Sequence, residues 1–247
     1  MQKKNPIIIA DAINLAIEKG KFIAVIGKNG IGKSTLLRTL SKVQNPLHGT
    51  IFLNEKKIND YTNNDLATTL SLVLTERLPE SQLTVFELIA LGRQPYTNWM
   101  DTLSEVDNRK IQWAIEQTEI KHLQNKRFYE LSDGQLQRVL IARALAQDTE
   151  IIVLDEPTAH LDMHHTFKIF SLLKKLVDVT EKTIIISTHQ VNLAVDLADE
   201  LIVFSNKGLV SGKTQTLINE NVLDTLFSKE IILFNKTLRQ FTINKNN

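Results

Sequence analysis

The chain has 247 residues, and 43% of them are hydrophobic, which is enough for a sizeable folded core and excludes a largely disordered chain. The lack of cysteine excludes disulfides and thiolate metal sites and is typical of a reducing compartment. The formal net charge of +1 excludes a strong general attraction to nucleic acid or to an anionic membrane.

The first part of the chain predicts two strands, a glycine-rich loop and a helix. Residues 6–10 predict an edge strand, and their apolar run is too short for a secretory signal. Residues 22–26 predict a buried strand, and residues 36–40 predict a helix. The loop between these two elements follows the pattern G-x-x-x-x-G-K-[ST]. It consists of Gly27, Lys28, Asn29, Gly30, Ile31, Gly32, Lys33, Ser34 and Thr35.

The order of strand, loop and helix is the context that a phosphate-binding P-loop requires. Glycines allow successive N–H groups to point at one anion, and the following helix adds its positive N-terminal end. We expect Lys33 to reach the β- and γ-phosphates of a nucleotide and the Ser34 hydroxyl to bind Mg²⁺. The alternative is a glycine-rich turn that ends in Lys-Ser by chance, and the flanking elements disfavour it.

Helical spacing replaces strand-like runs in the middle of the chain. Residues 50–53 and 70–74 still predict strands. From Thr84, a predicted N-cap, apolar residues recur at helical spacing until Gly92, which we expect to end the helix. Ser104 predicts the start of a second helix with a capping box.

The second half of the chain alternates between strands and helices. Continuous apolar runs at residues 150–154, 183–187 and 201–204 predict strands that are buried on both faces. Residues 166–177 and 191–197 predict the helices between them. This alternation favours a parallel sheet with right-handed crossovers.

The stretch between residues 79 and 147 lacks strand-like runs, so the sequence predicts a helical insertion there. We divide the chain into a nucleotide-binding core, residues 1–76, a helical subdomain, residues 77–147, and a second part of the core, residues 148–247. In the C-terminal tail, a helix over residues 217–227 and a hairpin over residues 230–243 are expected.

Two adjacent acids, Asp155 and Glu156, follow the apolar run 151–154. Ligands of α/β sheets bind at the carboxyl ends of strands. Asp155 is therefore placed to hold Mg²⁺, and Glu156 is placed to orient and deprotonate an attacking water. The alternative is that both acids only cap the next turn, but a buried pair of acids at a strand end needs a stronger reason.

A predicted helix begins at Ser132, a good N-cap, and its first turn contains Asp133, Gly134 and Gln135. Alone, this is an ordinary helix start. Together with a P-loop it offers free N–H groups for a second phosphate contact.

These three motifs, in this order and with a helical insertion between the first and the second, resemble those of an ABC-transporter ATPase. Ser132 to Gln135 resembles the family signature LSGGQ, with Asp133 in place of a glycine. Residues 158–162 resemble the D-loop, and residues 187–189 resemble the switch-histidine loop. The resemblance spans roughly residues 7–212.

The resemblance implies a fold and an assembly. The fold is α/β: a P-loop NTPase core with a parallel sheet, a small N-terminal antiparallel β portion and an inserted helical subdomain. The assembly is a head-to-tail homodimer that holds ATP between the P-loop of one subunit and the signature of the other.

The resemblance also implies residue roles. Ser132 and Gly134 would contact the γ-phosphate across the interface, and Gln135 belongs to the same signature. Asp162 would communicate between the subunits at the ATP site. His189 would contact the γ-phosphate and hold the attacking water, while Glu156 would be the catalytic base.

The sequence departs from the family pattern at three places. Thr75 stands where the family usually has a glutamine, with Glu76 beside it, and either residue is a candidate contact to metal or water. No aromatic residue precedes Phe22 to stack on adenine, Phe22 itself is expected to be a buried strand residue, and the chain is expected to begin late. Asp133 places a carboxylate beside a phosphate contact, although an acid suits the first turn of a helix.

Softer patterns indicate a subfamily. Residues 73–77, 83–88 and 91–97 resemble ATPases of importers for iron–siderophore, haem and cobalamin. We therefore expect ATP hydrolysis that drives a separate membrane permease, with a substrate-binding protein as an indirect partner and no nucleic acid. The chain would lie on the cytoplasmic face of the inner membrane as a peripheral subunit, because it lacks the ~20-residue apolar run of a membrane span.

Two other functions remain open at this stage. One is a soluble ABC ATPase of the type that assembles iron–sulfur clusters, and the other is an ATP-gated binding module with negligible turnover. A metal site at His160, His164 and His165 is disfavoured, because His160 lies within the stretch that resembles the D-loop and a carboxylate–histidine pattern such as H-E-x-x-H is lacking.

Overall fold

The computed structural model describes residues 13–75, 81–97, 102–205, 208–228 and 230–244. The predicted edge strand at residues 6–10 and the candidate Glu76 lie outside these ranges.

A six-stranded sheet forms the centre of the protein. Its strands, in spatial order, are β4 (Leu70–Val73), β5 (Ile151–Leu154), β6 (Thr183–Ser187), β1 (Phe22–Ile26), β7 (Glu200–Ser205) and β8 (Gly208–Lys213). All neighbouring strands are parallel except β7 and β8, which are antiparallel. The predicted α/β fold with a mostly parallel sheet is confirmed.

Eight helices are named within the described residues. They are α1 (Lys33–Leu40), α2 (Asn63–Thr69), α3 (Val85–Ala90), α4 (Glu105–Gln117), α5 (Asp133–Ala146), α6 (Met163–Thr180), α7 (Val191–Leu197) and α8 (Thr214–Asn219). In this part of the chain none of them is long and apolar enough to cross a membrane.

Two small antiparallel pairs of strands complete the described structure. β2 (Phe52–Leu53) pairs with β3 (Lys56–Lys57), and β9 (Ile232–Asn235) pairs with β10 (Gln240–Ile243). The predicted C-terminal hairpin is therefore confirmed, while the strand predicted at residues 50–53 is shorter than expected.

Helices cover β1 on both faces, as its continuous apolar sequence predicts. Ile23 and Val25 lie in one apolar cluster with Leu37 of α1. On the other face the ring of Phe22 meets the ring of Phe170 on α6 edge to face, with 6.2 Å between the centroids. Phe22 is fully buried, so its predicted place in the strand is confirmed.

The helical insertion begins each of its main helices with a capping box. Thr84, Ser104 and Ser132 are the N-caps of α3, α4 and α5, and each side chain accepts a hydrogen bond from the N–H group three residues on. The described residues between 81 and 147 contain no named strand, as predicted.

Gly92 does not have the predicted role of a helix C-cap. α3 ends at Ala90, and the chain continues as a 3-10 turn, Leu91–Tyr96. A side chain on Gly92 would place its Cβ atom 2.4 Å from the carbonyl oxygen of Arg143. The glycine is therefore needed for the close approach of this turn to α5.

The helix predicted over residues 217–227 is also wrong in its extent. It is divided into α8 and a 3-10 turn, Val222–Thr225. The break lies at Asn221, whose φ of 60° is left-handed and cannot continue an α-helix.

Candidate functional site

The P-loop connects β1 to α1, as predicted from the sequence. Gly32 is the N-cap of α1 and has a φ of 115°, and Gly30 has a φ of 73°. A side chain on Gly27 would place its Cβ atom 2.8 Å from the Cβ atom of Phe204. Glycine is thus required at these positions by conformation or by space, and the loop leads directly to a free helix N-terminus.

Lys33 folds back over this loop. Its Nζ atom donates hydrogen bonds to the carbonyl oxygens of Gly27 at 3.1 Å and Lys28 at 3.3 Å. The same atom lies 3.4 Å from Nδ1 of His189. Burial lowers the pKa of Lys33, and the charges of Glu156 and Asp155 partly oppose this effect. The geometry gives the loop a positive charge at the place where phosphates would bind.

Three elements bring oxygen atoms together at the carboxyl end of the sheet. Ser34 on α1 and Ser187 at the end of β6 donate hydrogen bonds to Oδ1 of Asp155, at 2.9 Å and 2.6 Å. Asp155 itself is only 3% exposed. The sequence assigned Ser187 only to the switch-histidine motif. The structure adds a contact with Asp155, because Ser187 ends the strand next to β5.

Hydroxyl and carboxylate oxygens are the ligands that Mg²⁺ prefers. The described residues contain no group of three or more His, Cys, Asp or Glu side chains that could hold a metal ion alone. Mg²⁺ in nucleotide sites usually takes one or two carboxylates plus the substrate phosphates. Ser34 and Asp155 fit that donor set.

Glu156 and His189 form a close pair beside Lys33. Oε1 of Glu156 lies 2.6 Å from Nε2 of His189. The Lys33 ammonium can only donate, so at its 3.4 Å contact it would donate to Nδ1 of His189. The His189 ring therefore lies between the Lys33 ammonium and the Glu156 carboxylate and is in close contact with both.

Thr75 makes a contact that the sequence did not predict. Its hydroxyl donates a hydrogen bond to the main-chain oxygen of Asp155 at 2.8 Å. The expected contact of Thr75 with metal or water stays a prediction.

The signature and the D-loop lie next to each other. Ser132 and Gln135 form two hydrogen bonds with each other. The Ser132 hydroxyl accepts from the main-chain N–H of Gln135 at 3.4 Å, and the main-chain N–H of Ser132 donates to Oε1 of Gln135 at 3.1 Å. Asp162, the N-cap of α6, accepts from the N–H of His165 at 2.8 Å. A Cβ atom on Gly134 would lie 2.7 Å from Cδ2 of His165, so the signature contacts the residue whose N–H is capped by Asp162 of the D-loop.

The signature and the D-loop are not joined to the P-loop by hydrogen bonds within the described part of the chain. The P-loop, Asp155, Glu156 and His189 are joined by close contacts, whereas Ser132, Gly134 and Gln135 are not joined to them by hydrogen bonds among the described residues. The D-loop is tied to Glu156 through the main chain, where the N–H of Ala159 donates to the Glu156 carbonyl at 3.0 Å. One chain therefore brings together only part of the predicted site.

A family model described as ABC transporter matches residues 10–159 of this chain. The chain belongs to the ABC transporter family. It is an ATPase of this family, and the resemblance drawn from the three motifs is confirmed.

Curated relatives of this ABC ATPase match most of its length. An uncharacterised ABC transporter ATP-binding protein of Methanocaldococcus jannaschii is 35% identical over 240 residues, 97% of this chain and 83% of the relative. A petrobactin import ATP-binding protein of Bacillus anthracis is 37% identical over 90% of this chain and 82% of the relative. An iron(3+)-hydroxamate import ATP-binding protein of Bacillus subtilis is 36% identical over 89% and 82%.

Solved structures of ATP-binding cassettes share the fold. An inward-facing conformation of a putative metal-chelate type ABC transporter matches with a TM-score of 0.76 and 28% identity, over 93% of this chain and 87% of the other. A dimeric cassette in a post-hydrolysis state, bound to ADP and Pi, matches with a TM-score of 0.73 and 30% identity, over 87% and 94%.

Proposed function

We propose that this ABC ATPase is the ATP-hydrolysing subunit of an importer for iron–siderophores or for haem- or cobalamin-type metal chelates. The similarity to import proteins for petrobactin and iron(3+)-hydroxamate, over about nine tenths of the chain, carries this proposal. A ferric enterobactin transport ATP-binding protein of Escherichia coli, 34% identical over 89% of the chain, adds further support.

The chemistry is attack of water on the γ-phosphate of ATP. Phosphoryl transfer depends mainly on positioning and charge stabilisation, which the loop amides and Lys33 would provide. Glu156 would orient the water and take its proton. His189, whose Nε2 lies 2.6 Å from Oε1 of Glu156, would keep this carboxylate in place, hold the attacking water and reach the γ-phosphate.

Ser34 and Asp155 would hold the Mg²⁺ that accompanies ATP. When bound, this ion neutralises charge on the phosphates. The short hydrogen bonds from Ser34 and Ser187 keep the Asp155 carboxylate oriented for that purpose.

The second group of site residues would complete an ATP site in another copy of the chain. Ser132, Gly134 and Gln135 would bind the γ-phosphate across a head-to-tail homodimer, with Asp162 beside them. The similarity to a dimeric cassette bound to ADP and Pi supports this arrangement.

Dimer closure would drive a separate permease. The helical subdomain, residues 77–147, would divide the core into two parts, residues 1–76 and 148–247. By resemblance to the family, a cytoplasmic helix of the permease would bind beside residues 75–100. The chain would thus act on the cytoplasmic face of the inner membrane, with a substrate-binding protein as an indirect partner.

The test is a pull-down from detergent-solubilised membranes with the Glu156→Gln variant in the presence of ATP. We expect a polytopic permease to be recovered together with a second copy of the chain. A Glu156→Gln/Lys33→Ala variant is the matched control, because it should not close over ATP and should recover less permease. Recovery of soluble assembly proteins without a permease would contradict the importer and favour a soluble ABC ATPase.

A further inference from the structure

The peptide group between Asp155 and Glu156 is held at both of its ends by side-chain hydroxyls. Its carbonyl oxygen, on Asp155, accepts from the Thr75 hydroxyl at 2.8 Å. Its N–H group, on Glu156, donates to the Ser187 hydroxyl at 2.9 Å. The two hydroxyls therefore fix the plane of a single peptide unit.

The sheet topology places these hydroxyls on opposite sides of β5. β4 and β6 are the two neighbours of β5, Thr75 follows the end of β4, and Ser187 is the last residue of β6. The main-chain ladder ends where the N–H of Asp155 donates to Val73 at 2.9 Å. Beyond this point, the main chain after β5 is hydrogen-bonded to side-chain hydroxyls, one after β4 and one at the end of β6, instead of to main-chain groups.

The fixed peptide precedes a residue in an uncommon conformation. Glu156 has a φ of 48°, which is left-handed and persists for a residue with a Cβ atom only when its surroundings enforce it. In this conformation the carboxylate reaches His189 at 2.6 Å. Release of the peptide would allow Glu156 to relax to an ordinary φ and would move the carboxylate away from that contact.

We propose that Thr75 and Ser187 are positioning residues that clamp this peptide and thereby hold Glu156 in its reactive orientation. This inference rests on the proposed role of Glu156 as the base. It gives Thr75 a role other than the metal or water contact that its place in the sequence predicts. Ser187 serves both acids, because its hydroxyl also donates to Oδ1 of Asp155 at 2.6 Å.

The test compares Thr75→Val, which keeps the shape but loses the donor, with Thr75→Ser, which keeps the hydroxyl. Steady-state ATP hydrolysis by the full chain is measured over a range of ATP and Mg²⁺ concentrations. We expect Thr75→Val to lower kcat by about 3- to 10-fold, the worth of one neutral hydrogen bond, with KM for ATP unchanged. Thr75→Ser should restore kcat.

Thr225→Val is the matched control. Thr225 is also an exposed threonine whose hydroxyl donates to a main-chain oxygen, that of Val222 at 2.7 Å, but it lies outside the site. Its substitution should leave kcat unchanged. Melting curves of all variants establish that they are folded, and Thr75 suits the test because it lies at the surface, unlike the buried Ser187.

Several outcomes would overturn the clamp. One is a wild-type kcat in Thr75→Val, and another is a loss of kcat that high Mg²⁺ restores, which would make Thr75 a metal contact. The Glu156→Gln background adds a further test, since Thr75→Val should cause no additional loss there, and an additive loss would contradict a role through Glu156.

The same measurements separate the clamp from the proposed function. If Glu156→Gln hydrolyses ATP like the wild type, the base assignment fails and the clamp falls with it. If Glu156→Gln is impaired while Thr75→Val is normal, only the clamp is overturned.

Discussion

Arg93 ties the helical insertion together through a buried ion pair, and its replacement by methionine should destabilise the protein strongly. Its Nε atom donates to Oδ1 of Asp107 at 2.8 Å, and both side chains are only 5% exposed. A second nitrogen donates to the carbonyl oxygen of Ala146 at 2.8 Å, and the guanidinium lies 3.9 Å from the ring centroid of Tyr96. One side chain thus joins the 3-10 turn, α4 and the end of α5.

The magnitude follows from the burial of both charges. Removal of one partner of a buried ion pair leaves the other charge unpaired and costs about 3–5 kcal/mol. For a chain of this size, each kcal/mol lowers the melting temperature by about 2–4 °C. We therefore expect Arg93→Met to melt about 6–20 °C below the wild type.

Thermal unfolding followed by circular dichroism is the assay. Arg109→Met is the matched control: Arg109 lies on α4 and pairs with Glu105 at 3.7 Å, but the two side chains are 69% and 96% exposed. Exposed pairs contribute little, so this control should change the free energy of unfolding by less than about 1 kcal/mol. If Arg93→Met melts no lower than Arg109→Met, the ion pair does not stabilise the insertion.

The same variant should change the response to acid. Burial opposes ionisation of Asp107, but hydrogen bonds from Ser104 and Arg93 outweigh it and hold the pKa of this carboxyl below its ordinary value of 3.8. A carboxyl whose pKa is lower in the folded than in the unfolded chain stabilises the protein at pH values above its ordinary pKa. This stabilisation is lost as the pH falls through the lowered pKa. Without Arg93 the pKa should rise, so Arg93→Met should lose this stabilisation at a higher pH than the wild type.

Two further substitutions test the P-loop and the packing of the insertion. Lys33→Ala should abolish tight ATP binding in calorimetric titrations, and normal affinity would refute the P-loop assignment. Gly92→Ala should reduce the free energy of unfolding by about 1–3 kcal/mol in urea titrations, because its Cβ atom would meet the Arg143 carbonyl at 2.4 Å. Gly212→Ala, whose Cβ atom would lie an ordinary 3.6 Å from Leu217, is the control; an equal loss in both variants would contradict the packing argument.

Features that depend on neighbouring residues could be predicted from the sequence. The bounds of β1 and β6 follow from continuous apolar runs, because both strands are buried on both faces. The capping boxes at Thr84, Ser104 and Ser132 follow from spacings of three residues. The family follows from motifs of the same local kind.

Features that depend on distant residues could not be predicted. The contact that excludes a side chain at Gly92 comes from Arg143, and the hydroxyl that holds the Asp155 carbonyl comes from Thr75, 80 residues earlier. The role of Ser187 depends on the placement of β6 beside β5, which no local pattern determines. Composition and spacing do not record such contacts.

The most direct test of the account is the rate of ATP hydrolysis by Glu156→Gln, measured with ATP affinity on the same sample. We expect turnover to fall by roughly 10²–10⁴-fold, the usual contribution of a general base, while ATP still binds. Glu150→Gln is the control. This exposed acid lies just before the start of β5, at the end of the strand away from Glu156, and pairs with Lys19. Wild-type turnover in Glu156→Gln would contradict the assignment of Glu156 as the base.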